Sequence, residues 1–122
     1  MKAKKEECEK LDRLQKRSDF LRLSTGADKW VAKGFTFLAL PNGLEKSRFG
    51  ITVTKRLEKS AVKRNRMKRR LRSLACDVLA TRAKSGTDYI LIAKEGAMTR
   101  PYIQMEKDLL WCLEKTGYGI DA

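Results

Sequence analysis

The chain has 122 residues, enough for one domain and too few for two. It carries 28 Lys and Arg against 15 Asp and Glu, with no His, for a formal net charge of +13. The missing His excludes Ser-His and Cys-His nucleophile pairs and a mixed Cys/His zinc site, and no apolar run approaches the roughly 18 residues of a membrane span.

Residues 1–15 read as a flexible leader of mixed Lys and Glu, without the apolar stretch of a secretory signal. A single domain is expected over 16–122. Lys16 to Ser24 reads as a short helix opening near Ser18 and Asp19, with Phe20, Leu21 and Leu23 free to pack. Thr25-Gly26-Ala27-Asp28 is turn chemistry. Trp30 to Leu40 reads as one strand or two, with Gly34 expected to mark a bulge. Pro41-Asn42-Gly43 is a strong turn signal and predicts a hairpin with the strand that follows. In that strand Phe49, Ile51 and Val53 share one face, and Gly50, Thr52 and Thr54 share the other. The second face is small and polar, open to water or to a ligand.

Ser60 to Lys84 predicts a long helix whose core stripe is Met67, Leu71, Leu74, Ala75, Val78 and Leu79. Gly86 is expected to end it. Tyr89 to Ala93 is a short continuous apolar run, as in a buried strand. Thr99 is the expected N-cap of a last helix, with Pro101 in its first turn and Gly117 at its end. The fold class is α+β in the order α-β-β-(β)-α-β-α, with helices on one face of a small sheet.

The charge is concentrated. Lys55 to Arg72 holds ten basic residues and one acid, Glu58, and so carries +9 of the total. Like charges three and four residues apart on a helix repel one another, and a polyanion would relieve that cost. Projected at about 100° per residue, Arg64 and Lys68 fall near the core stripe and Arg72 on its flank. The helix must therefore outrun its sheet, or its cations must line a groove beside it. Free N–H groups at the helix start and bidentate guanidinium groups both suit phosphate. Cys8, Cys76 and Cys112 are too scattered for a metal knuckle and read as reduced thiols of a cytoplasmic protein. The scattered acids give no cluster for a metal-dependent nuclease acting alone.

Four motifs then stand in order: Lys16-Arg17-Ser18-Asp19-Phe20, Arg48-Phe49-Gly50-Ile51-Thr52-Val53-Thr54-Lys55, Arg64-Asn65-Arg66-Met67-Lys68-Arg69-Arg70-Leu71-Arg72, and Asp88-Tyr89-Ile90-Leu91-Ile92-Ala93. Together they resemble the protein subunit of bacterial ribonuclease P, over roughly positions 11 to 116. The resemblance departs at Arg56 to Val62, which lacks the Gly that this family usually places between strand and helix.

The resemblance implies a small α/β sandwich like the second domain of ribosomal protein S5. It implies a ribonucleoprotein endonuclease that removes the 5′ leader of precursor tRNA. Its RNA subunit would hold the Mg²⁺ ions and perform the hydrolysis, leaving no catalytic residue or metal site in this chain. The expected partners are that RNA and precursor tRNA, with no membrane or DNA. Lys55, Arg56, Arg64, Asn65, Arg66, Lys68, Arg69 and Arg72 are the candidate RNA contacts. Phe20, Thr36, Leu38 and Thr52 are the candidate lining of a leader cleft. The competing expectation is a ribosomal or other structural RNA-binding protein on a similar scaffold.

Overall fold

A computed structural model of the chain describes residues 11–120. The five strands are β1 (Leu11–Arg13), β2 (Asp28–Val31), β3 (Phe35–Pro41), β4 (Ser47–Thr52) and β5 (Thr87–Ala93). They form one sheet in the order β1-β4-β5-β3-β2. The helices are α1 (Arg17–Gly26), α2 (Ala61–Arg82) and α3 (Tyr102–Thr116), with one 3-10 turn at Glu95–Ala97. The α+β class follows directly from these elements.

Alternation along the strands separates two apolar layers. Phe35, Phe37 and Ala39 of β3, Phe49 of β4, and Tyr89 and Leu91 of β5 face α2 and α3. The predicted stripe of α2 meets them: Met67, Leu71, Leu74, Ala75, Val78 and Leu79 are all buried. Each such Leu contributes roughly 1.5–3 kcal/mol relative to exposure. Trp30 of edge strand β2 meets Trp111 of α3 edge-on, with ring centroids 5.5 Å apart. The opposite layer is smaller. There Leu14, Leu23, Leu38 and Ile90 are buried, and Phe20 and Ile92 pack partly against them.

Several expectations are corrected. Helices do not lie on one face only: the long α2 and α3 share a face, but Leu23 and Phe20 bring α1 onto the other. Residues 11–15 do not belong to a flexible leader. Leu11–Arg13 pairs in parallel with β4, the Leu14 N–H donates to the Phe49 carbonyl at 2.9 Å, and Leu11 and Leu14 are buried. The rest of that leader, residues 1–10, lies outside the described residues.

β3 and β4 make no hairpin, because β5 lies between them, antiparallel to β3 and parallel to β4. The Pro41-Asn42-Gly43 turn is real, with Gly43 at a φ of 73°, but it carries the chain across the place that β5 fills. The Trp30–Leu40 segment is two strands, joined by a tight turn closed from the Ala32 N–H to the Phe35 carbonyl at 2.9 Å. Gly34 sits in that turn rather than in a bulge, and a Cβ there would stand 2.5 Å from the Met105 sulfur.

Helix boundaries shift slightly. The Ser60 hydroxyl caps α2 by accepting the Lys63 N–H at 3.3 Å. At α3 the N-cap position falls to Pro101 rather than Thr99, with no side-chain cap, and Gly117 ends the helix at a φ of 82°. Arg82 is the last residue of α2, so Gly86 shapes the turn into β5 rather than the helix end. Cys112 is a buried free thiol, whereas Cys76 is disulfide-bonded, which corrects the reading of three reduced thiols.

Candidate nucleic-acid interface

The connection from β4 to α2 forms without a glycine. The Leu57 and Glu58 N–H groups both donate to the Thr54 carbonyl, closing a turn. The Glu58 carboxylate accepts the Ser60 N–H at 3.1 Å. The Arg64 guanidinium then reaches back and donates to the carbonyls of Glu58 and Lys59, at 2.9 and 2.8 Å. No non-glycine residue among those described takes a positive φ. Arg64 is thus half-buried and engaged in holding the loop that starts the helix.

Beyond Arg64 the cations divide by side. Arg70 turns toward α3, where it donates to the Arg100 carbonyl and lies 5.6 Å from the Tyr102 ring centroid. Asn65, Arg66, Arg69 and Arg72 are exposed and Lys68 is half-buried. Among the described residues, Arg66, Lys68, Arg69 and Arg72 have no carboxylate partner. Desolvation, followed by the charges of Arg13 and Arg69, pushes the Arg72 guanidinium below its ordinary value. Cations crowded to that degree form a surface that an anion stabilises.

This surface borders the sheet face that α1 partly covers. Lys68 and Arg72 line a cavity of about 230 Å³ together with Arg13, Phe20 and Gly50. Phe20 also lines a second cavity of about 300 Å³, whose walls are mainly apolar (Leu21, Leu38, Ile90 and Ile92), with Thr52 beside them. Phe20 therefore stands between a cationic wall and an apolar floor. Three of the four expected cleft residues, Phe20, Leu38 and Thr52, meet there. Thr36 shares their sheet face, opposite Ile92 in the β3–β5 register, but does not line the cavity.

Lys55 and Arg56 fall apart from this site. Both are exposed in the β4–α2 loop, and Arg56 lines a separate open notch of about 710 Å³ with Lys33 and Lys94. Sequence reasoning missed Arg13, which it groups with the leader, and Arg17, which lines the apolar cavity beside Phe20. Arg17 was visible in the Lys-Arg-Ser-Asp-Phe motif. The pairing of β1 that places Arg13 had no sequence signal.

Among the described residues, no three His, Cys, Asp or Glu groups come together in a way that could hold a metal ion. Three of the acids are engaged elsewhere, Asp88 by Arg48 and Arg22, Asp108 by Arg100, and Asp77 by the Tyr102 hydroxyl.

Fold and site together define a class: small basic α+β proteins that set a cationic helix beside an apolar cleft between a short helix and the sheet. The Ribonuclease P family model matches residues 8–117, and the chain belongs to that family. A ribonuclease P protein component from Paramagnetospirillum magneticum is 39% identical over 113 residues, covering 88% of this chain and 84% of its own. One from Erythrobacter litoralis is 39% identical over 106 residues, covering 87% and 86%. Among solved structures, the RNase P protein of Thermotoga maritima superposes with a TM-score of 0.72 at 26% identity, over 85% of this chain and 96% of that one. A Staphylococcus aureus RNase P protein superposes with a TM-score of 0.69 at 27% identity, over 85% and 95%.

Proposed function

We propose that this ribonuclease P protein component binds the RNA subunit of the enzyme through the exposed cations of α2. It holds the single-stranded 5′ leader of precursor tRNA in the cleft around Phe20. The RNA subunit binds the Mg²⁺ ions and cuts the phosphodiester bond, and the protein positions the substrate. The observation that carries this reading is the shared wall: Lys68 and Arg72 line one cavity with Phe20, and Phe20 in turn lines the apolar one. A single strand needs both surfaces, cations for its backbone and an apolar or aromatic platform for its bases. Arg66 and Arg69, exposed on the same helix, remain for phosphates of the RNA subunit.

Reconstitution tests this. The chain is mixed with a bacterial ribonuclease P RNA and precursor tRNA, at Mg²⁺ too low for the RNA alone to work well. Restored leader cleavage, absent with either component alone, supports the reading. Tight salt-sensitive binding to the RNA without restored cleavage points instead to a structural RNA-binding protein. Cleavage by the chain alone would place the chemistry in the protein.

A further inference from the structure

Asp88 is the only fully buried charged side chain among the described residues. A carboxylate in that position must be paired and hydrogen-bonded to be tolerated. Here it is saturated. Arg48, its register partner on β4, donates through Nε and a terminal nitrogen at 2.8 and 2.7 Å. The Asn42 amide donates at 2.9 Å, and Arg22 of α1 donates to the second oxygen. Arg48 also lies 3.5 Å from Asp19, one turn before Arg22 on the same helix. Two charged residues of α1 thus end on one ion pair in the sheet.

α1 has few other anchors. It is ten residues long, has no side-chain N-cap, and fully buries only Leu23. A helix of that length is marginal by itself. Burial of one leucine is non-directional, whereas the charge-assisted contacts of Arg22 with Asp88 and of Arg48 with Asp19 are directional and hold the helix at two points, against a carboxylate that the bidentate Arg48 pair fixes in the sheet. Phe20 lies between Asp19 and Arg22 in sequence and projects from this helix over Gly50.

We propose that Asp88 is a positioning residue: by clasping Arg22 directly and Asp19 through Arg48, it fixes α1 on the sheet and so sets the cleft that Phe20 divides. The consequence for the leader rests on the function proposed above.

Two readouts test the proposal in Asp88→Asn and Arg22→Gln, with Asp19→Asn as a third variant that leaves the sheet pair untouched if Asp88→Asn does not fold. Hydrogen exchange in the free chain reads the clasp alone. Amides of α1 should exchange about tenfold faster, equivalent to about 1.4 kcal/mol, while those of α2 keep their rates. Unchanged α1 exchange in the folded variants overturns the clasp.

The second readout is the ratio of affinities for precursor and mature tRNA in the reconstituted particle. It should fall about tenfold, with affinity for mature tRNA and for the RNA subunit unchanged. An equal loss for both tRNAs would mark a merely structural role and overturn the positioning role. A wild-type particle with no preference for precursor overturns the cleft reading itself, and the leader consequence with it. Faster α1 exchange in the variants would then still establish the clasp.

Discussion

The ring of Phe20 fills the space where a side chain at position 50 would begin. A Cβ on Gly50 would stand 2.7 Å from two of its ring carbons. The cleft therefore has its aromatic divider because the strand beneath it has no side chain at that point. Gly50→Ala forces the ring outward, and overpacking of this kind costs roughly 1–3 kcal/mol. Urea titration of Gly50→Ala, Phe20→Ala and the double variant measures it. The double variant should be more stable than the sum of the two single losses predicts, since removing the ring removes the clash. Additive losses would show that ring and glycine do not share this space.

Phe20→Ala should weaken precursor binding by roughly 1–3 kcal/mol, the contribution of one base stacked on an aromatic ring. The comparison is made at matched folding, and the affinity for the RNA subunit alone should be preserved. Lower stability with unchanged precursor affinity would reduce Phe20 to a packing residue of the smaller core.

Arg66→Ala and Arg69→Ala remove two exposed cations that have no carboxylate partner among the described residues. Every phosphate deprived of its cation should flatten the log–log salt dependence of binding to the RNA subunit by roughly 0.7–0.9. The pair should flatten it about twice as much. An unchanged slope would make these arginines a solvated face.

Acid should loosen the sheet through Asp88. Burial pushes its carboxyl upward, but hydrogen bonds from Arg48 and Asn42 and the charges of Arg48 and Arg22 outweigh burial and hold it below its ordinary 3.8. The folded value lies below the unfolded one. Its stabilisation is therefore complete above the unfolded value and is lost as pH falls through the folded one. Stability measured by urea titration should decline on acidification below about pH 4, and the decline should be shallower in Asp88→Asn.

Ser60→Ala removes the hydroxyl that accepts the Lys63 N–H at the start of α2. Thermal melting should show a loss of about 1 kcal/mol. No acidic side chain in the first turn of α2 replaces the cap.

The long helix and its core face were legible because 3.6-residue spacing survives in the order of the letters. So were the buried β5 and the cationic run. Strand order was not. Periodicity says which face of β3 or β4 is apolar but not which strand lies beside it, so Pro41-Asn42-Gly43 suggested a hairpin that β5 interrupts. A three-residue strand such as Leu11–Arg13 is too short to alternate visibly. Within the site, Lys68 and Arg72 followed from the helical wheel, but Arg64 did not, since its partners are loop carbonyls that no side-chain pattern marks. The clasp at Asp88 joins residues 66 and 40 positions away in the chain, a separation that local pattern cannot read.

The position of β5 also sets an order in time. It is the last strand to be made, yet it is central, and both β3 and β4 take it as their neighbour. On a growing chain, each of those strands waits with an open edge until the ribosome has passed Ala93. At ordinary rates of synthesis that wait is roughly two to eight seconds after β4 is complete. Throughout the interval α2 emerges with its positive charge and no finished sheet to lie on. Strongly basic stretches that precede their own scaffold gain from keeping soluble, and the density of Lys and Arg on α2 repels one unfinished copy from another.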